Sequence, residues 1–262
     1  MSRYLKLYFY FVKFSIIRAF EFRFNFIFRF SMDTMFYIID FCFFHIIYTH
    51  TSLLGTWPLE KSYIFVSTYL CIDAIRMTFT ANSLWWLPKF INNGQIDHYL
   101  TKPVSSLFFL SLKDFDLVSS FNLLLTTFLL SYFIITCSID FKWYQILGHL
   151  ILMIQGFMIV NFIQLCALIP TFWTGSPRGF MDLFHALTPV WERPVEIFPS
   201  IVKRILTTTI PIGLIADFPC KVLFNEANTT QVISSIVVTI IFGFVTLQFW
   251  KLGMRNYTSS SS

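Results

Sequence analysis

Four charged side chains stand where the chain is otherwise apolar. Asp33 and Asp40 lie seven residues apart in a stretch dominated by Phe, Ile and Met, and Asp73 and Arg76 lie three apart in the next such stretch. Seven residues are close to two helical turns, so Asp33 and Asp40 share a face, and a spacing of three makes Asp73 and Arg76 neighbours on theirs. A charge at the centre of a bilayer costs about 2.5–3.5 kcal/mol on insertion scales, so such residues face a protein interior or a water-filled route. Two arrangements satisfy that rule. In one, Asp73 neutralises Arg76, Asp33 pairs with Arg29 one turn earlier, and Asp40 hydrogen-bonds a neighbouring helix. In the other, Asp40 meets Arg76 across the first two apolar stretches and, with Asp73, lines a path for a transported solute. Asp33 and Asp40 alone do not make the acid, base and nucleophile set of a membrane-embedded enzyme.

The second polar feature is a loop between two apolar runs, WLPKFINNGQIDHYLTKPV from Trp86 to Val104. Gly94 permits a backbone conformation that ends the preceding helix, Gln95 to Thr101 is long enough for about two helical turns, and Pro103 stops or redirects the chain. In a short helix Ile96, Tyr99 and Leu100 project to neighbouring positions and offer an apolar face to a cleft on a partner. Asp97, His98 and Lys102 form its polar rim. The plainer alternative is a surface turn that joins two spans.

Composition defines the elements that hold these residues. Of 262 residues 56% are hydrophobic, 20% aromatic and 13% charged, against roughly 25% charged in a soluble domain. The chain is therefore an all-α integral membrane protein. Taking about 20 apolar residues as the length that crosses the hydrocarbon core, spans are expected near 30–50, 62–86, 117–137, 144–169, 201–224 and 231–250. The fifth is interrupted by Pro211, Pro219 and Asp217, so it is either bent or partly re-entrant. Five single cysteines and five scattered histidines show no metal-ligand spacing. Trp57, Trp85, Trp86, Trp143 and Trp250 fall at expected span ends, where the headgroup level favours them.

Positive residues set the orientation. With the amino terminus inside, only Lys61, Lys142 and Lys221 of the nineteen Lys and Arg fall in outside loops, and Arg76 lies within a span. Both termini and the Gly94 loop are thus expected in the cytoplasm. Residues 1–29 carry Arg3, Lys6, Lys13, Arg18, Glu21 and Arg29 largely on one helical arc, with phenylalanines elsewhere. That pattern predicts an amphipathic interfacial helix on the inner leaflet. The six-span domain then covers 30–255, with the loop at 87–104, and 256–262 is a short tail. The basic balance needs no nucleic acid to explain it.

The loop NNGQIDHYLTKPVSSLF, the stretch IPIGLIADFPCKVLF and the ending FWKLGMRNYTSSSS, in a six-span chain with a basic amphipathic start, resemble the permease subunits of ATP-binding-cassette transporters of the second exporter type. The resemblance departs locally from Trp173 to Pro199, which is rich in Pro, Trp and charge, and its path cannot be carried over. It implies a bacterial inner-membrane exporter subunit that pairs as a homodimer or heterodimer and docks on two cytoplasmic ATPase subunits. Gly94, Gln95, Ile96, Asp97, Tyr99, Leu100, Lys102 and Pro103 would then be the coupling segment. ATP and Mg would sit on the partner, because no G-x-x-x-x-G-K-[ST] occurs in this chain. Two other classes remain: an ion-coupled secondary transporter, which usually shows an internal repeat of broken helices, and a membrane-embedded enzyme.

Overall fold

Uninterrupted apolar runs fold as helices here because a segment in lipid must satisfy its backbone polar groups internally. The computed structural model describes residues 2–21, 23–101, 105–137 and 139–257, and among them no strand is found. Apart from further single turns such as Thr171–Thr174, the helices are α1 (Ser2–Glu21), α2 (Arg23–His50), α3 (Leu59–Asn92), α4 (Asp97–Leu100), α5 (Ser106–Leu112), α6 (Leu117–Thr136), α7 (Trp143–Leu168), α8 (Arg178–Trp191), α9 (Ser200–Thr208), α10 (Asp217–Leu223) and α11 (Thr229–Arg255). Of these α2, α3, α6, α7 and α11 are long and apolar enough to cross a membrane. They fall at the expected first, second, third, fourth and sixth spans.

The most buried of them is α3, which lies against α6 above all and also against α2, α7 and α10. Its core face carries Ser62, Ser67 and Thr68 beside Ile64, Phe65 and Val66. Small hydroxyl residues let neighbouring helices approach closely, and they remain satisfied: Ser67 donates to the Tyr63 carbonyl at 2.8 Å and Thr68 to that of Ile64 at 2.7 Å. The bundle has two ends. One holds α4, α5 and the last turns of α7 and α11, with a second apolar cluster of Leu84, Leu87, Ile96, Leu110, Leu168 and Trp250. The other holds Trp57, whose indole N–H donates to Glu226 at 3.2 Å and whose ring meets Phe224.

The expected fifth span is interrupted, as Pro211, Pro219 and Asp217 suggested. Residues Ser200–Thr208 and Ile212–Leu223 are bent by 74°, and both arms return to the Trp57 end, where Glu196 binds Lys203 and Lys221. The fold turns at Pro211, which has no N–H with which to continue a helix. At its deepest the hairpin brings the Ile215 carbonyl against Gly156 in the middle of α7. Any Cβ there would collide with backbone, so glycine is what admits the hairpin.

The passage between the two ends is made instead by residues 175–196. Asn92 donates to the Gly175 carbonyl at 2.6 Å at the α4 end, and Glu196 lies on Gly55 at the Trp57 end. The helix of that passage, α8, has 14 residues, about 21 Å at 1.5 Å per residue. Tryptophan placement is also corrected in part. Trp143, Trp85 and Trp86 are exposed, whereas Trp57 and Trp250 are buried core residues.

Candidate translocation cavity and coupling loop

The charges of α2 and α3 converge with those of α6 and α8 on two adjoining cavities of about 470 and 420 Å³. Arg29, Asp73, Met77 and Glu192 line both. Asp33 and Asp40 share the smaller one, as their spacing of seven residues required, together with Tyr69, Asn122 and Trp191. Arg76 lines the larger, with Asp116, Gln164 and His185. Asp40 sits ten residues before the end of α2 at His50, about 15 Å along the helix. That depth is where a membrane offers a charge no water of its own.

Two arginines answer two of the carboxylates. Arg76 pairs with Asp73 at 2.7 Å and donates to the Gln164 side chain at 3.3 Å. Arg29 pairs with Asp116 at 2.7 Å, and Asp33 instead accepts from Asn122 at 2.6 Å. The expected meeting of Asp40 with Arg76 is therefore corrected: the Tyr69 hydroxyl faces Asp40, and Arg76 is already held by its own helix and by α7. The expected Asp33–Arg29 pair is likewise replaced, because Asp116 at the start of α6 is the better-placed anion.

Backbone geometry positions Asp116. One π turn, Met77–Ala81, interrupts α3 immediately after Arg76. The Thr78 carbonyl in that turn accepts the Asp116 N–H at 3.0 Å, and Ser83 accepts the Asp114 N–H at 2.8 Å. π turns recur at functional sites because they offer a carbonyl to another segment. The Asp116 carboxylate then caps α6 through the Val118 and Ser119 N–H groups. One residue thus starts a helix, holds Arg29 and faces the cavity.

The Gly94 loop is built as its residue types suggest, with one reversal. Gly94 has φ 68°, the left-handed region that ends the preceding helix, and the Asp97 N–H donates to its carbonyl at 3.2 Å. The helix that follows spans Asp97–Leu100, one turn where two were expected. Ile96 is fully buried in the cluster with Leu168 and Trp250. It therefore anchors the loop to the bundle and offers nothing to a partner's cleft, a correction to its expected docking role. Gln95 and His98 are exposed, and Asp97 faces the Tyr257 hydroxyl. Burial together with that carboxylate raises the Tyr257 phenol above its usual value. Lys102 and Pro103 lie outside the described residues, as do the side chains of Tyr99 and Leu100.

Sequence reasoning named Asp40, Asp73 and Arg76 and missed Asp116, Asn122 and Glu192. A signal for Glu192 was present. Met181, Phe184, Thr188 and Trp191 recur at intervals of three, four and three, a helical stripe that carries Glu192 to the cavity wall.

The family described as ABC-2 family transporter protein matches residues 34–261, well over half of the chain. No curated protein and no solved structure matches.

Proposed function

This chain belongs to the ABC-2 family of transporter proteins, and from that premise we propose that it is the permease subunit of an ATP-driven exporter. The observation that carries the reading is the pair of cavities walled by charged residues and set among the long apolar helices of such a family member. Asp40, Asp73 and Arg76 line the translocation path in this reading. Six crossings result when residues 175–196 are counted as the fifth and the bent pair as a re-entrant hairpin open to the outside. Both termini and the Gly94 loop face the cytoplasm of an inner membrane, in keeping with the distribution of Lys and Arg.

ATP and Mg belong to two cytoplasmic ATPase subunits, which dock on the exposed side of the Gly94 loop through Gly94, Gln95, Asp97, Tyr99, Leu100, Lys102 and Pro103. Because Ile96 ties that loop to the ends of α7 and α11, a push on the loop is delivered to helices rather than absorbed. A second permease completes the path, as a homodimer or a heterodimer, against α2, whose Met35, Phe36, Ile39 and Phe43 are uncovered. Helix α1 lies in the inner leaflet with Phe9 and Phe14 in the acyl boundary and Lys6 and Lys13 near headgroups. The test uses the complex with its ATPase subunits in proteoliposomes. Leu100→Asp should leave ATP hydrolysis running while export falls, and normal export from that variant overturns the coupling role. A chain that neither associates with a soluble ATPase nor changes its turnover overturns the reading as a whole.

A further inference from the structure

Two independent observations in the smaller cavity point to the same kind of ligand. The first is a charge remainder. Asp73 and Asp116 are matched by Arg76 and Arg29 at 2.7 Å each, whereas Asp33, Asp40 and Glu192 have no ion-pair partner among the described residues. Arg193, next to Glu192, is directed to the Phe43 ring at 5.9 Å. The second is an unmet acceptor. Asn122 lines this cavity and is 2% exposed, its amide N–H₂ is spent on Asp33, and its Oδ1 has no donor. A buried carbonyl oxygen left without a donor is costly, so it marks a place where a donor is to arrive. This wall carries one cation, Arg29, against the carboxylates of Asp33, Asp40, Asp73 and Glu192, and the Tyr69 hydroxyl faces Asp40, so negative charge and an acceptor remain in excess.

We propose that the cavity between α2, α3, α6 and the end of α8 binds an organic cation with N–H donors, a protonated amine or a guanidinium carried on an apolar body. The inference rests on the permease reading and names the class of solute that the path admits. An ammonium supplies up to three donors without any acceptor, which suits Asn122 Oδ1 and the carboxylates of Asp40 and Glu192. Phe36, Leu70 and Trp191 on the same wall take the apolar body, and the aromatic rings favour a cation near their faces. A soluble amine and the amine headgroup of a lipid share this chemistry.

The experiment measures binding to the purified full-length chain in lipid nanodiscs by calorimetry and by intrinsic tryptophan fluorescence. Its probes are 4-phenylbutylamine, its trimethylammonium analogue and 4-phenylbutanol. The amine should bind at least about tenfold more tightly than the alcohol and more tightly than the trimethylammonium compound. Asp40→Asn and Glu192→Gln, which keep side-chain shape, should each weaken the amine by about tenfold or more. Asn122→Val should remove the preference for amine over trimethylammonium. Nanodiscs of phosphatidylcholine and of phosphatidylethanolamine separate the two sources: weaker amine binding in the second assigns the site to a lipid headgroup, and equal binding assigns it to a soluble amine. Equal affinity for amine and alcohol, or unchanged affinity in both carboxylate variants, overturns the proposal. Because no ATPase enters the assay, lost binding with intact ATP-driven export condemns this inference alone, while intact binding in a chain that no ATPase regulates condemns the permease reading alone.

Discussion

The hairpin at the Trp57 end and the cavity in the middle of the bundle both gather charged groups, and they treat them in opposite ways. At the hairpin Glu196 receives Lys203 and Lys221, while Asp217, 4% exposed, receives Lys221 and the Val195 N–H. The four charges of this cluster, Glu196, Lys203, Asp217 and Lys221, answer one another within the same motif. In the cavity Asp33, Asp40 and Glu192 have no ion-pair partner among the described residues. Charges that are answered locally fix a shape, whereas charges left unanswered at membrane depth are expensive to keep and point to something that passes through.

The largest test of that contrast removes an answered charge. Asp217→Ala leaves Lys221 with Glu196 alone and the buried Val195 N–H without an acceptor, so a loss of about 2–5 kcal/mol is expected. Thermal unfolding in detergent reads it, and a loss below about 1 kcal/mol would mean the hairpin is held by apolar contacts alone. Next in size is Gly156→Ala. The added methyl meets the Ile215 carbonyl, which is backbone and cannot rotate away, so about 1–3 kcal/mol is lost as the hairpin shifts. Gly148→Ala meets only the Val222 methyl at 3.0 Å. It should cost less than Gly156→Ala, and the reverse order would break the account of the hairpin's depth.

The two regions also differ in how far the sequence discloses them. Spans α2, α3, α6, α7 and α11 were legible because each is a long apolar run, and length is what a bilayer measures. The hairpin passes the same length test, and only Pro211 and Asp217 betray that it turns back. Helix α8 fails the test, because it is short and holds Arg178, Asp182, His185 and Pro189; its passage emerges only when Gly175 and Glu196 are placed at opposite ends. In the cavity, Asp33 and Asp40 could be put on one face by spacing, but their partners lie 89 residues away in sequence, as for Asn122, or on α3, as for Tyr69. Ile96 shows a further limit. Spacing groups it with Tyr99 and Leu100, yet it does not say whether that face turns toward a partner or toward Trp250.

Acidity provides a smaller perturbation of the answered charges. Burial alone would raise the Glu196 carboxyl, but hydrogen bonds and charge from Lys203 and Lys221 outweigh it and hold the group below its ordinary value of 4.5. A depressed carboxylate stabilises the fold fully above the unfolded value, and that contribution is lost as pH falls from there through the lower folded value. Thermal stability should therefore drop on acidification below about pH 4.5. In Glu196→Gln the drop should be shallower, and an identical pH profile in the variant would remove Glu196 from the cause.

The smallest effect on stability belongs to the unanswered charges, and it is the sharpest test of the comparison. Asp40→Asn keeps shape and removes a charge that no cation balances among the described residues. Neutralising an unpaired intramembrane carboxylate relieves a cost of about 2.5–3.5 kcal/mol on insertion scales, so the variant should be no less stable than the parent, within about 0.5 kcal/mol, or more stable. Glu192→Gln should behave alike. Export by the assembled complex should nonetheless fall in both. Were Asp40→Asn to destabilise the bundle as Asp217→Ala does, Asp40 would be a structural group, and the distinction between the middle and the Trp57 end would collapse. A stable variant that no longer exports leaves one explanation standing, because a charge retained at a cost to the fold is retained for what it meets in the cavity.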